Sequence, residues 1–389
     1  MGLDDKLTLF ITGPTFVRDQ VKQAALLPDF GHRDTENEIR FRPIFANLRT
    51  LWEAGDDYGI VIIPGSGSNA METSIRSLAG ENETVLAVST GAFGDLYREM
   101  AIANLKPGMK VVPLNFDPGK AIDLNGLEDA LKQHKPNVVT LTHNETSTGV
   151  ANPVAEACRL VRQYGAMPLV DGVSIFGGAP TPIEAIGAAM YSTSTQKGLA
   201  LPAGFGLAAY SREALEKAKW VTQRGYTTDL VAHAKSADKY QTLTTPDCAL
   251  VNQLMVQLDY IVNTEGVNAR FQRHAQMRDI THRFVEGELS SLGFGLFAEK
   301  QYASPTVTCI KVPSYFTQKM LNAVKEELRG HGYLMDPGYE KMNAELGKKG
   351  MPLTIRVGHM GDITGDMLKT YLGVLKDSLM KHVNNLGGK

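Results

Sequence analysis

From Tyr58 onward, apolar runs of strand length alternate with helical stretches, and most runs end in a loop rich in Gly, Ser or Thr. That alternation predicts an α/β fold with a mostly parallel sheet covered by helices on both faces. Strands buried on both sides read as continuous hydrophobic runs, and parallel neighbours need a crossover, usually a helix. A third observation divides the chain. After about residue 265 the pattern becomes α+β, which predicts a second, smaller domain. The expected division is an N-terminal segment, residues 1–15, packed on the small domain, a large domain from 16 to 265, and the small C-terminal domain from 266 to 389.

In chain order, residues 7–11 form a short apolar piece ended by the turn signal Thr12-Gly13-Pro14-Thr15. Residues 17–26 and 35–53 read as helices. The second places Ile39, Phe41, Ile44, Phe45, Leu48 and Leu51 at helical spacing, and Pro43 is expected to kink or split it. Strands are then expected at 59–63, 84–88, 110–114, 137–143, 168–171 and 189–193. The helices between them are expected at 70–78, from the Gly91-Ala92-Phe93-Gly94 loop to about 104, at 124–134 and at 154–164. A short helix at 213–220 precedes helix-rich sequence from 248 to 292. The small domain reads as strand 306–312, helix 318–329, strands 333–334 and 353–357, and helix 365–383. In open sheets of this kind ligands bind beyond the carboxyl ends of the strands.

A chain of 389 residues, 43% hydrophobic and 21% charged, has ample material for two buried cores. Its net charge of −2 comes without a Lys/Arg block, so neither nucleic acid nor an anionic membrane is expected as a partner. Cys158, Cys248 and Cys309 lie far apart, with neither metal-ligand spacing nor a disulfide framework. That usage fits a reducing cytoplasm. The charged start, Met1 to Lys6, shows no signal peptide, and no apolar stretch approaches ~20 residues, so no membrane span is expected.

The residues with chemical potential fall mainly on strand ends. Lys197 sits between a polar strand-like piece, Tyr191 to Thr195, and a Gly/Pro loop leading into Gly206-Leu207-Ala208-Ala209-Tyr210. A lysine held from both sides can bind a carbonyl compound as a Schiff base. Ser66-Gly67-Ser68 is a small-residue turn opening a helix, suited to a phosphate or to ordinary N-capping. Asp171, at a strand end, needs a cationic or N–H partner; a protonated pyridine nitrogen or an Asx-turn supplies one. Phe93 offers a flat face to a planar ring or to the core. His143 and Glu145 read as an acid–base pair or as hydrogen-bonded structural groups. Arg356, in an apolar strand, needs an anion: a substrate carboxylate or a structural salt bridge. Together these are the parts for pyridoxal phosphate acting on an amino acid.

The motifs Gly13-Pro14-Thr15, Gly31-His32-Arg33, Gly65-Ser66-Gly67-Ser68, Gly91-Ala92-Phe93-Gly94, His143 to Gly149, Val170 to Ser174, Ser194 to Gly198, Thr244-Thr245-Pro246 and Arg356 to Gly361 occur in one order along the chain. In this it resembles the class V aminotransferases of the fold-type I pyridoxal-phosphate enzymes, above all the serine/alanine–glyoxylate group and the 2-aminoethylphosphonate–pyruvate transaminases. The resemblance implies a seven-stranded-type sheet in the large domain and pyridoxal 5'-phosphate as cofactor. Lys197 is then the Schiff-base lysine and Asp171 the partner of the pyridine nitrogen. Phe93 stacks on the ring, a smaller plate than the Trp or Tyr of many relatives. Ser66, Gly67, Ser68 and Gln196 bind the phosphate, Thr146 and Val173 line the ring, and Arg356 with Gly13 receives the substrate. Thr244 reaches the neighbouring subunit's phosphate, implying a homodimer with shared active sites. Tyr240 stands one residue out of the alanine–glyoxylate spacing.

The activity so implied is ping-pong transamination from a small amino acid of the alanine or serine type to glyoxylate or pyruvate. 2-Aminoethylphosphonate–pyruvate transamination is the alternative, favoured by Gly65 to Ser68 and Phe176-Gly177-Gly178. A cysteine desulfurase is disfavoured because Phe93 and Gln196 replace the histidines of those enzymes. A non-catalytic relative of the fold is disfavoured because Lys197, Asp171 and Arg356 are all present.

Overall fold

The computed structural model describes residues 7–387; the remainder of the expected N-terminal segment, residues 1–6, and the last two residues lie outside the described residues. At its centre is a seven-stranded sheet in the order Tyr58–Pro64, Phe205–Ser211, Met190–Ser194, Met167–Asp171, Val138–Thr142, Thr84–Ser89, Lys110–Asn115. Phe205–Ser211 runs antiparallel to both neighbours and the other pairings are parallel, so the expected mostly parallel α/β sheet is what forms.

Strand Tyr58–Pro64 shows how the two faces are buried. Ile60 and Ile62 join the cluster of Phe41, Leu48 and Trp52, while Val61 and Ile63 join Met71, Ile75 and Tyr97 on the opposite face. Each fully buried aliphatic side chain contributes roughly 1.5–3 kcal/mol, which is why helices flank both sides. The antiparallel strand places Phe205 beside Pro64, so the start of that strand shares an edge with the carboxyl ends of the others.

The second core surrounds a three-stranded antiparallel sheet of Gly295–Leu296, Val307–Lys311 and Thr354–Gly358. Helices Gln318–Gly330 and Gly365–Gly387 add Leu321, Val324, Leu372 and Leu375 to Ile310, Ile355 and Val357. Thr8–Leu9 pairs in parallel with Tyr333–Leu334, and Phe10 stacks on Tyr371 with centroids 4.0 Å apart.

The early helix departs from expectation. Asn37–Trp52 is continuous, with Pro43 inside it, and Ile39 is 71% exposed. Pro43 removes one backbone bond near the helix start, and the burial of Phe41, Ile44, Leu48 and Leu51 holds the rest together. Helices Leu230–Ala237 and Glu340–Lys348 lie outside the elements expected from the sequence. The second forms because Met342 and Leu346 dock on Ala92 across the molecule.

Candidate active site

Most of the sequence-singled residues lie at one sheet edge because the strands run that way. The carboxyl ends of the parallel strands carry Gly65-Ser66, Gly91 to Phe93, His143, Asp171 and the segment from Ser194 to Lys197.

Helix Gly67–Leu78 starts directly after strand Tyr58–Pro64. Asn69 Oδ1 accepts the Ser66 amide at 2.8 Å and its hydroxyl at 3.2 Å, fixing the turn. Gly67 is buried, and a Cβ there would lie 2.7 Å from Val173 Cγ2 and 3.2 Å from Ser194 Cβ. Ser194 Oγ and Gln196 Oε1 are buried without a hydrogen-bond partner among the described residues. The unpaired Ser194 hydroxyl and the helix N-terminus at Gly67, which lie together, suit a dianion. Ser68 is exposed on the same first turn.

Asp171 ends strand Met167–Asp171 and is 4% exposed. The Val173 amide donates to its Oδ1 at 2.9 Å. Burial pushes its carboxyl up to about 7; the Val173 amide and Lys197 oppose that rise, while Glu145 adds to it. A buried carboxylate with so little compensation is completed by a cationic N–H, as a protonated pyridine provides. His143 and Glu145 do not form an acid–base pair. His143 Nδ1 meets the Tyr191 hydroxyl at 2.8 Å, and burial lowers the imidazole to about 4. Glu145 accepts from the amides of Phe93, Gly94 and Ser147 and from the Ser147 hydroxyl. Phe93 thereby sits in the first turn of helix Ala92–Ala103, its ring centroid 5.7 Å from that of Tyr339. Thr146 donates its hydroxyl to Ser174 Oγ at 2.7 Å.

Lys197 lies in a loop pinned from several sides. The Thr15 hydroxyl donates to its carbonyl at 3.1 Å. Arg270, fully buried, donates to the carbonyls of Gly198 at 2.6 Å and Gly177 at 2.9 Å, and is ion-paired with Asp362 and Glu265. The lysine amine donates to the Thr12 carbonyl. Burial, then the Arg356 charge, lower that amine to about 8, against the pull of Asp171 and Asp336. Gly13, at φ +120°, lies so close that a Cβ would run into the Lys197 amine.

Arg356 is 6% exposed on strand Thr354–Gly358. Its Nη2 pairs with Asp336 Oδ2 at 2.8 Å, and its Nη1 donates to the Thr146 carbonyl at 3.2 Å. Its Nε has no partner among the described residues. Of the two readings of this arginine, the salt bridge is therefore present, and the unpaired Nε–H and further Nη N–H groups remain for another anion.

Thr244 stands apart from this cluster in its contacts. Its carbonyl accepts the Thr242 hydroxyl at 2.7 Å, and the same loop is held by Arg33, which donates to the carbonyls of Thr242 and Leu243. The motifs around Arg33 and Thr244 thus meet each other. Tyr240 packs on Arg42 and Phe45 of the long early helix. Asn69, Arg270, Asp336 and Tyr339 were not singled out in the sequence. Only the Asp336-Pro337-Gly338 turn signal hinted at any of them.

Taken together, the unpaired Ser194 hydroxyl at the helix N-terminus beside Gly67, the under-compensated Asp171 and the depressed amine of Lys197 fit pyridoxal phosphate. The aminotransferase class-V family matches residues 31–330. An uncharacterized aminotransferase of Methanocaldococcus jannaschii is 30% identical over 361 residues, covering 92% of this chain and 88% of that protein. The serine–glyoxylate aminotransferase of Methylorubrum extorquens is 27% identical, covering 97% and 91%. Among solved structures, the alanine–glyoxylate aminotransferase of Nostoc superposes with a TM-score of 0.86 at 26% identity, covering 96% and 95%.

Proposed function

The chain belongs to the class-V aminotransferases, pyridoxal-phosphate enzymes, and on that premise we propose that it moves an amino group from a small amino acid of the alanine or serine type to glyoxylate or pyruvate. The observation that supports the choice of a small donor is the close approach of Gly13 to the Lys197 amine. Backbone, rather than a side chain, faces the reacting nitrogen at this point.

Bound pyridoxal phosphate supplies the electron sink that makes the substrate α-proton acidic. The chain's own residues do the rest. Ser66, Ser68, Gln196 and the amides that open helix Gly67–Leu78 hold the phosphate. Asp171 keeps the ring nitrogen protonated, and Phe93 covers one face. Lys197, with an amine lowered to about 8, would take the α-proton at Nζ and, as the resulting ammonium, would give that proton back to the carbon through which the amino group is passed on. Arg356 takes the substrate carboxylate through its remaining donor capacity and orients the α-carbon toward Nζ.

The same reading makes the protein a homodimer in which Thr244 serves the partner's phosphate site. Support comes from the loop around Thr244 being held by Arg33, outside the hydrogen-bonded cluster of its own subunit. The test is a spectrum of the purified holoenzyme, with alanine, serine, aspartate or 2-aminoethylphosphonate added separately. Loss of the cofactor's visible band with alanine or serine, and its return with glyoxylate or pyruvate, is the expected result. A band bleached only by 2-aminoethylphosphonate would replace this reading with the alternative.

A further inference from the structure

We infer that Asp336 is a specificity-determining residue, which keeps Arg356 in a preformed ion pair and thereby selects donors with a neutral or hydrogen-bond-donating side chain over donors with a second carboxylate. The inference rests on the reading that Arg356 receives the substrate carboxylate.

Asp336 is as deeply placed as its partner, with both residues 6% exposed. Three contacts besides the salt bridge hold it. The Gly338 amide donates to Oδ1 at 3.0 Å, the Thr12 hydroxyl donates to Oδ2 at 3.3 Å, and the Arg356 amide donates to the Asp336 carbonyl at 3.2 Å. The antiparallel bridge pairs the two residues directly across neighbouring backbone segments, so their side chains start side by side. Asp336 also belongs to the reacting centre. Thr12, which donates its hydroxyl to Asp336, offers its carbonyl to the Lys197 amine, and the Asp336 charge acts on that amine.

The donor inventory of Arg356 then limits what enters. Nη2 is committed to Asp336, Nη1 contacts the Thr146 carbonyl, and Nε is unpaired among the described residues. A substrate carboxylate therefore joins a guanidinium that already carries one carboxylate. One added anion leaves the group with a single surplus negative charge at a buried site. A side-chain carboxylate on the donor adds a second surplus charge beside Asp336, where like charges repel strongly. A hydroxyl, an amide or an ammonium does the reverse, because it can donate to Asp336. Selectivity built on such repulsion does not require tight contacts to the favoured substrate.

The test is calorimetric titration of the holoenzyme with the unreactive acids propionate and succinate, on wild type, Asp336→Asn and Asp336→Glu. Wild type is expected to bind propionate more tightly than succinate. Asp336→Asn should move the succinate-to-propionate affinity ratio toward succinate by about tenfold, the size of one removed charge contact, whereas Asp336→Glu keeps the wild-type ratio. In the half-reaction, Asp336→Asn should raise kcat/KM for aspartate relative to alanine, mainly through KM. Wild type that binds succinate as tightly as propionate overturns the inference without any variant. So does an Asp336→Asn protein with native circular dichroism and cofactor absorbance whose ratio is unchanged. If the affinity ratio shifts as expected while neither alanine nor serine reacts with wild type, the inference stands and the alanine/serine assignment falls.

Discussion

Glu145 accepts the backbone N–H of Phe93 at 3.1 Å although the two residues are 52 positions apart, and it takes the Gly94 amide at 3.0 Å with the same oxygen. A fully buried carboxylate thus caps helix Ala92–Ala103 at the turn that presents the Phe93 ring. Replacing Glu145 with Ala leaves these amides and the Ser147 hydroxyl unpaired. The expected cost is about 2–4 kcal/mol in urea unfolding, with weaker cofactor binding. Glu145→Gln keeps an acceptor in place and should cost less. Equal losses in the two variants would argue against the capping role.

The Lys197 amine, lowered to about 8 by burial and by Arg356, sets a pH dependence. Only the neutral amine is a nucleophile. The rate at which the cofactor-free protein takes up pyridoxal phosphate should therefore rise with pH and level off above about 8. Stopped-flow absorbance measures it. A profile still climbing toward the ordinary lysine range would mean that the amine is not desolvated as described. Lys197→Ala should lose turnover by about 10²–10⁴-fold or more.

Asp171 makes the cofactor-free protein sensitive to pH in the opposite sense. Burial raises its carboxyl from 3.8 to about 7, so folding favours the protonated form. That contribution is complete below the unfolded value and is lost as pH rises through about 7. Between about pH 4 and 7, cofactor-free wild type should lose stability relative to Asp171→Asn, by at most about 4 kcal/mol. Bound pyridoxal phosphate should reverse the order, because the ionised carboxylate then has a cationic partner. Parallel melting curves for the two cofactor-free proteins across that range would contradict the account.

Gly13 combines a backbone at φ +120° with the absence of a side chain facing Lys197. Gly13→Ala should cost only about 1–3 kcal/mol of stability, since the strain is local. It should lower kcat far more, by about 10²-fold, because displacing the amine by even 1 Å disrupts proton transfer. Thermal melting and steady-state kinetics on the same preparation separate the two effects. A variant with wild-type kcat would show that Gly13 does not set the amine's position.

Much of the site was legible because its parts obey local rules. Lys197, Asp171 and Ser66 to Ser68 stand at strand-to-loop junctions, and an apolar run followed by small polar residues marks such a junction without any knowledge of its neighbours. The parallel strands then bring those junctions to one edge, whatever the packing details. Helix Glu340–Lys348 had no such signal, since its Met342 and Leu346 are buried by distant residues, Ala92 among them. Pro43 shows the same limit: local chemistry predicts a kink or a split, and the burial of Phe41, Ile44 and Leu48 keeps the helix unsplit.

The amino-acid sequence by itself determined the alternating α/β plan, the smaller second domain's pattern and the residue types available for holding a phosphate, a pyridine nitrogen and a carboxylate. Those follow from periodicity and turn chemistry, which are short-range. Tertiary structure alone decided which buried charge meets which. Glu145 went to the Phe93 amide and not to His143, Arg270 went to the Gly198 carbonyl, and Arg356 went to Asp336. A charge removed from water takes the nearest partner in space, and nearness between residues far apart in the chain is set by how whole elements pack.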